Sequence, residues 1–260
     1  MNRYGSLAAL LCSGLLSACE KNTVQVLPTA PLAGAQIKFF NFGVNAPGVN
    51  FYADATKMTA IQSGTGVEST NGVTYGGAGA GGVYTTIAPG QHIFTGRIAA
   101  TVDKDLPIAS VTTTIADGKS YSFYLSGFYN TTAKTVDGFV VEDPFTVPTD
   151  YTVANVRFVH AMGNANPMTL YARPVGDTVT AHWAAVGAEV AYKGVGAFTT
   201  LPGGAYDLAT RYTGSATPVI TRTAQSFSGG QVYTVAARGD ITVTSTTATN
   251  RPILDNTANR

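Results

Sequence analysis

Three histidines, a single tryptophan, an Asp-Lys-Asp loop and a glycine-rich run are the parts of this 260-residue chain whose types and spacing invite chemistry. His160 closes the alternating run Val156-Arg157-Phe158-Val159-His160. Parity turns it to the side of Val156 and Phe158, inward at a strand end. An imidazole there could act as a base or a metal ligand, but a site must show partners, and none is in view. His160 therefore reads as a polar cap that hydrogen-bonds nearby backbone. His92 and His182 have no companion at metal spacing, and no His-Glu-x-x-His occurs, so no metal centre is expected. Asp103-Lys104-Asp105 offers carboxylate oxygens to calcium but lacks the EF-hand pattern and a third acid, and reads as a solvated turn. Gly77-Ala78-Gly79-Ala80-Gly81-Gly82 formally contains G-x-G-x-x-G. A dinucleotide site needs a helix N-terminus to follow, and Val83-Tyr84-Thr85-Thr86 reads instead as a strand, so this run is a loop. There is no G-x-S-x-G elbow. The glutamates are Glu20, Glu68, Glu142 and Glu189, and they nominate no pair for glycoside hydrolysis. Trp183, beside His182 in the connection after Tyr171-Ala172-Arg173-Pro174, is the one candidate ligand contact. Exposed, it would stack on a sugar or a partner; folded back, it packs on its own sheet. No catalytic residue and no cofactor are expected.

Composition narrows the classes further. Charged residues make up 12% of the chain, about half the usual share. The surface must then be polar without charge. Net charge is +1, with no basic stripe to neutralise phosphates, which excludes nucleic acid as a partner. Hydrophobic residues at 45% suffice for real cores, and 29 glycines with 13 tyrosines suit strands joined by tight turns.

The elements that must hold these residues occur twice. Ile37-Lys38-Phe39-Phe40-Asn41 and Val49-Asn50-Phe51-Tyr52 return as Val156–His160 and Met168-Thr169-Leu170-Tyr171 at a constant offset, 156 − 37 = 171 − 52 = 119. Thr199 to Gly204 echoes Thr85 to Gly90, and Gly230 to Val235 echoes Gly118 to Phe123. Short alternating strands with turn signals between them, and no long 3.6-residue period, predict an all-β chain of two tandem antiparallel β-sandwich modules, immunoglobulin-like in size. The expected boundaries are a first module over 36–143, a Pro-containing linker over 144–152 and a second module over 153–250. Few contacts are expected between the modules. Residues 251–260 read as a frayed polar tail. Pro107 and Pro174 belong at edges or strand ends, because proline cannot donate to a ladder.

Residues 1–18 read as a targeting segment rather than fold. Arg3 supplies the positive charge, and Leu7 to Leu16 an apolar run too short for a stable membrane span. The run ends in Leu16-Ser17-Ala18-Cys19, which resembles the bacterial lipobox, where a cysteine is lipidated and becomes the first residue. Cys19 is thus the expected lipidation site, carrying acyl chains such as palmitate. Cys12 would be lost with the leader, so the mature chain would have no thiol pair and no disulfide. Residues 19–35, with Pro28 and Pro31, would form a tether. Glu20 rather than aspartate after the cysteine makes the outer membrane the expected location.

Alternating apolar residues, a basic residue, a histidine, a Pro-containing turn and a V-x-V/L-Y strand resemble the start of the domain-of-unknown-function family 4397. The likeness is clearest at Val156-Arg157-Phe158-Val159-His160-Ala161, with Pro167 and Tyr171 following; in the first copy Asn41 stands in place of His160. The resemblance implies a secreted or lipid-anchored bacterial β protein over Gln36 to about Val141 and Ala154 to about Thr247, and carries no activity. The expected function is a non-enzymatic, lipid-anchored cell-envelope protein that binds protein or glycan. The alternatives are an envelope hydrolase or metal-dependent enzyme with an unrecognised site, and a purely structural spacer.

Overall fold

The computed structural model describes residues 34–61 and 64–259. The leader, Cys19 and most of the tether lie outside the described residues.

In the first half, alternation and turn chemistry produce β1 (Ala35–Asn41), β2 (Val49–Ala53), β3 (Thr56–Lys57), β4 (Gly77–Ala78), β5 (Thr85–Ile87), β6 (Gly90–Ile98), β7 (Pro107–Ile115), β8 (Ser120–Asn130) and β9 (Thr135–Glu142). One sheet runs β4-β1-β8-β9, with β5 also on β1; the other runs β3-β2-β6-β7. The second half gives β10 (Val153–His160), β11 (Met168–Pro174), β12 (Ala184–Ala185), β13 (Thr199–Pro202), β14 (Gly204–Tyr212), β15 (Ile220–Phe227), β16 (Val232–Arg238) and β17 (Ile253–Ala258). Its sheets run β13-β10-β16-β17 and β12-β11-β14-β15. The chain is all-β, with two sheets to each half. The named strands pair antiparallel except for one parallel pair in each half, β1 on β8 and β10 on β16.

The repeat is visible in the ladders. Ile37 pairs with Tyr121 and Val156 with Tyr233; Tyr121 pairs in turn with Glu142, and Tyr233 with Ala258. Alternation then divides the strand faces. Ile37, Phe39, Phe51, Phe94 and Phe123 fill the first sandwich; Val156, Phe158, Leu170, Leu208 and Val235 fill the second. Burial of such side chains, at about 25 cal/mol per Å² of apolar surface, is the main stabilising contribution.

Two expectations are corrected here. Ile253–Ala258 is no frayed tail: it completes a sheet against β16, with Leu254 fully buried in the second core. Its Leu-Asp-Asn-Thr-Ala composition hides it, because this edge strand buries few apolar side chains. The modules also share more than a few contacts. A third apolar cluster joins Phe40, Phe42, Tyr124, Phe139 and Val141 of the first half to Val159, Ala161 and Ala236 of the second. Phe145, in the linker, lies 6.2 Å from the Tyr84 ring and 6.4 Å from that of Phe198. The prolines behave as expected: Pro107 opens the edge strand β7, and Pro174 closes β11 past its pairing with β12.

Candidate functional site

His160 is fully buried and serves the backbone. Its Nε2 lies 3.1 Å from the Asn166 carbonyl, and its Nδ1 accepts the Met162 N–H at 3.3 Å. These partners fix the neutral Nε2–H tautomer, and burial pushes the imidazole below the ordinary histidine range. Asn41 does the same work in the first copy, donating to the carbonyls of Pro47 and Val73 at 3.1 and 2.9 Å. Pro47 and Asn166 stand at the same place in the repeat, so both side chains close the same turn.

The other candidates are dispersed. His92 sits between Asp54, at 2.8 Å, and the Ala88 carbonyl, at 2.9 Å. His182 meets Asp177 at 2.7 Å. Asp103 pairs with Lys134 at 2.6 Å, and Asp105 accepts from the Tyr52 hydroxyl at 2.9 Å. Among the described residues, no three His, Cys, Asp or Glu side chains come together as a metal site. The glycine run forms β4 and a short turn with Ala80 and Gly81 at positive φ, and no α-helix follows it.

Trp183 lies half-buried beside β11 and β14 of its own module. The Arg173 guanidinium stands 4.7 Å from its ring centroid and that of Arg211 5.3 Å; Arg211 also stands 4.6 Å from the Tyr171 ring. Two aromatic rings and two guanidinium groups therefore form one ladder. Arg173 has Asp207 at 3.6 Å, whereas Arg211 has no acid partner among the described residues. The Nε atoms of both arginines are buried without a hydrogen bond.

Sequence reasoning missed the polar centre between the modules. On β1 and β10 the residues between the core-facing ones point outward: Lys38 and Phe40 in one copy, Arg157 and Val159 in the other. Module packs on module through these faces, and both cations are buried. Arg157 forms an ion pair with Asp143, donates to the Glu142 carbonyl at 2.9 Å and to Thr234 Oγ1 at 3.0 Å, and lies 4.8 Å over the Phe198 ring. Asp143 also accepts from Ser122 at 2.8 Å and from Tyr84 at 2.7 Å. Lys38 donates to the Ala258 carbonyl and lies 4.2 Å over the Tyr84 ring. Among the described residues no carboxylate ion-pairs with it, and burial, opposed by the charge of Asp143, lowers its pKa to about 8. Burial, with the charge of Asp143 second, holds the Tyr84 hydroxyl far above the ordinary tyrosine range. Further out, Tyr192 bonds Ser126 at 3.0 Å and Asp137 at 2.9 Å, while Arg238 lies 4.8 Å over Tyr75. Gly76 stands at a φ of +79°, which favours glycine, with the Arg238 guanidinium against it. The constant offset that carries Lys38 to Arg157 was the available signal.

Two β-sandwiches of one repeat, joined through a buried polar centre, define a tandem all-β repeat protein. The family described as Domain of unknown function (DUF4397) matches residues 35–171 and 154–260, and the chain belongs to that family. No curated protein matches it. Among solved structures it is similar to the Bacillus anthracis TIE protein, at 12% identity and a TM-score of 0.24, covering 78% of this chain and 33% of that one. It thus spans about a third of that protein's length. It is also similar to a putative cell adhesion protein from Bacteroides ovatus, at 11% identity and a TM-score of 0.25, covering 86% of this chain and 95% of the other.

Proposed function

We propose that this chain is a non-enzymatic binding protein of the bacterial cell envelope, held to the outer membrane by lipid on Cys19, and that it takes a protein or glycan partner at the Trp183 face. The observation that supports the binding site is the Tyr171–Arg211–Trp183–Arg173 ladder. It sets an aromatic ring and a guanidinium without an acid partner among the described residues beside the β11–β14 sheet, where stacking and hydrogen bonding act together. The dispersal of His92, His160, Asp103 and Asp105 supports a role without catalysis. Multiple acyl chains on Cys19, each methylene adding roughly 0.8 kcal/mol, would anchor the chain stably.

Trp183 is the chain's single tryptophan, so its emission reports on this face alone. Envelope protein and polysaccharide fractions titrated against the full chain should include one that changes the emission saturably and that Trp183→Ala and Arg211→Ala fail to retain. Equal retention by wild type and both variants would remove this face from the reading. Mass spectrometry of the N-terminal peptide should show acyl mass in wild type and none in Cys19→Ala; an unmodified wild-type cysteine would end the anchor.

A further inference from the structure

Away from Trp183, the second sandwich has an open side where the edge strands β15 and β17 of its two sheets face each other. Arg222 of β15 ties them together by donating to the Leu254 carbonyl of β17. Beside this tie lies a cavity of about 420 Å³ whose lining includes Arg222, Arg238, Arg251 and Thr221. Of the three guanidinium groups only Arg238 has an acid partner among the described residues, Asp255. Arg251 donates to the Ala248 carbonyl of its own loop at 3.0 Å. A guanidinium carries five N–H donors, and one carbonyl bond occupies few of them. Three cations against one carboxylate leave this cavity with a surplus of positive charge on a chain whose net charge is only +1.

A second cavity of about 280 Å³ shares Thr221, Arg251 and Pro252 with the first and continues past Thr244, Ser245 and Thr246. The two form a groove that is cationic at one end and rich in hydroxyls at the other.

Two of these arginines are particular to the second module. Arg222 stands opposite Leu208 on the neighbouring strand; the residue opposite the equivalent core position, Phe94, is Val111. Arg238 pairs with Ile253 on the last strand, and in the first module Ser126 pairs with Asp137 at that place. The same sandwich closes its open side with an apolar residue in one copy and a guanidinium in the other.

We propose that this groove is a binding site for an acidic sugar chain, with carboxylate or sulfate groups held by Arg222 and Arg251, buried Arg238 and its partner Asp255 forming the wall behind them, and sugar hydroxyls held by Thr221 and the Thr244–Thr246 segment. Charge-assisted, forked hydrogen bonds supply the recognition of the anion, and adjoining hydroxyls favour a hydroxyl-rich ligand over a peptide. The site is separate from the Trp183 face and stands whether or not that face has a partner.

Calorimetric titration of the full chain tests it, with oligogalacturonate as the probe, a neutral galactan oligosaccharide for charge and oligoglutamate for ligand class. Oligogalacturonate should bind with an affinity that falls as salt rises, and the other two at least about tenfold more weakly. Arg222→Gln/Arg251→Gln should lose at least about tenfold, as expected when charged hydrogen bonds are removed. Arg251→Gln alone, which leaves the β15–β17 tie intact, should lose affinity at an unchanged melting temperature. Trp183→Ala should bind as wild type does. No binding of oligogalacturonate, equal binding of oligoglutamate, wild-type affinity in the arginine variants, or loss confined to Trp183→Ala would each overturn the proposal.

Discussion

Lys38 in the first module and Arg157 in the second occupy the same place in the repeat, and the surroundings of one mirror those of the other. Each donates to a backbone carbonyl at the same register position of the other module's last strand, Ala258 for Lys38 and Glu142 for Arg157. Each lies over the ring that precedes the matching strand, Tyr84 or Phe198. Ser122 bonds Asp143 as Thr234 bonds Asn259. The modules thus face one another about a pseudo-two-fold axis, the arrangement of an isologous interface. The differences are chemical. Asp143 ion-pairs with Arg157, whereas Asn259 offers Lys38 no charge, and the field of Asp143 offsets the lysine's desolvation only in part. The apolar part differs in size: Phe40, Phe42 and Tyr124 in one copy stand where Val159, Ala161 and Ala236 stand in the other. A symmetric backbone has been made one-way by its side chains. Bulk on one side meets small residues on the other, so that neither module is a good partner for itself.

The harshest way to break this comparison is to end the chain at Asn250. That removes β17, and with it Leu254, Asn259 and the carbonyl that Lys38 uses. The second module should then lose its cooperative melt, while a chain ending at Arg260 keeps it. A native-like melt after truncation would return β17 to the status of a tail. Next in size is the buried ion pair. Arg157→Met leaves the Asp143 carboxylate buried without its cation and should cost about 3–5 kcal/mol, whereas Lys38→Met strands no charge and should stay within about 1 kcal/mol of wild type at neutral pH. Equal losses from the two in denaturant melts would erase the asymmetry.

The same lysine predicts a pH dependence. Its folded pKa of about 8 lies below the unfolded 10.5, so between them the unfolded chain binds more protons and stability rises with pH. Above about pH 10 the trend reverses, because buried Tyr84, Tyr124 and Tyr192 resist the ionisation that free tyrosines undergo. Lys38→Met should flatten the rise between pH 8 and 10; a persisting rise would place the proton elsewhere.

Exchanging sizes across the pseudo-axis sharpens the packing side. Phe40→Val opens a cavity and Val159→Phe overpacks, each costing roughly 1–3 kcal/mol. The double variant should recover part of the loss, and strict additivity would deny that the two positions share one space. The smallest expected effect separates the two turn caps. His160→Asn should cost less than about 1 kcal/mol, because Asn41 shows that an amide closes this turn, and His160→Ala about 1–3 kcal/mol from unsatisfied backbone. A chelator-sensitive wild type beside chelator-insensitive variants would instead make His160 a ligand.

What the sequence determined by itself was the local and the periodic. Alternation placed β1, β2, β8, β10 and β11, and the constant offset set two sandwiches side by side. Parity turned His160 inward, and its lack of partners made it a cap. The family likeness at Val156–Ala161 was equally legible, because a hydrophobic period and a spacing are properties of the string. Only the tertiary structure decided the meaning of Lys38 and Arg157. A period of two says that they point away from their own core, and water is the default occupant of that side. A second module covers it instead, and nothing local records that. The strand at Ile253–Ala258 was hidden for a related reason: its edge position leaves most of its side chains polar, and its pairing partner β16 lies outside any local window. Trp183 and the arginines of the open groove belong to the same class. Their chemistry depends on which distant guanidinium groups the sheets bring beside them, a choice made by register and packing rather than by residue type.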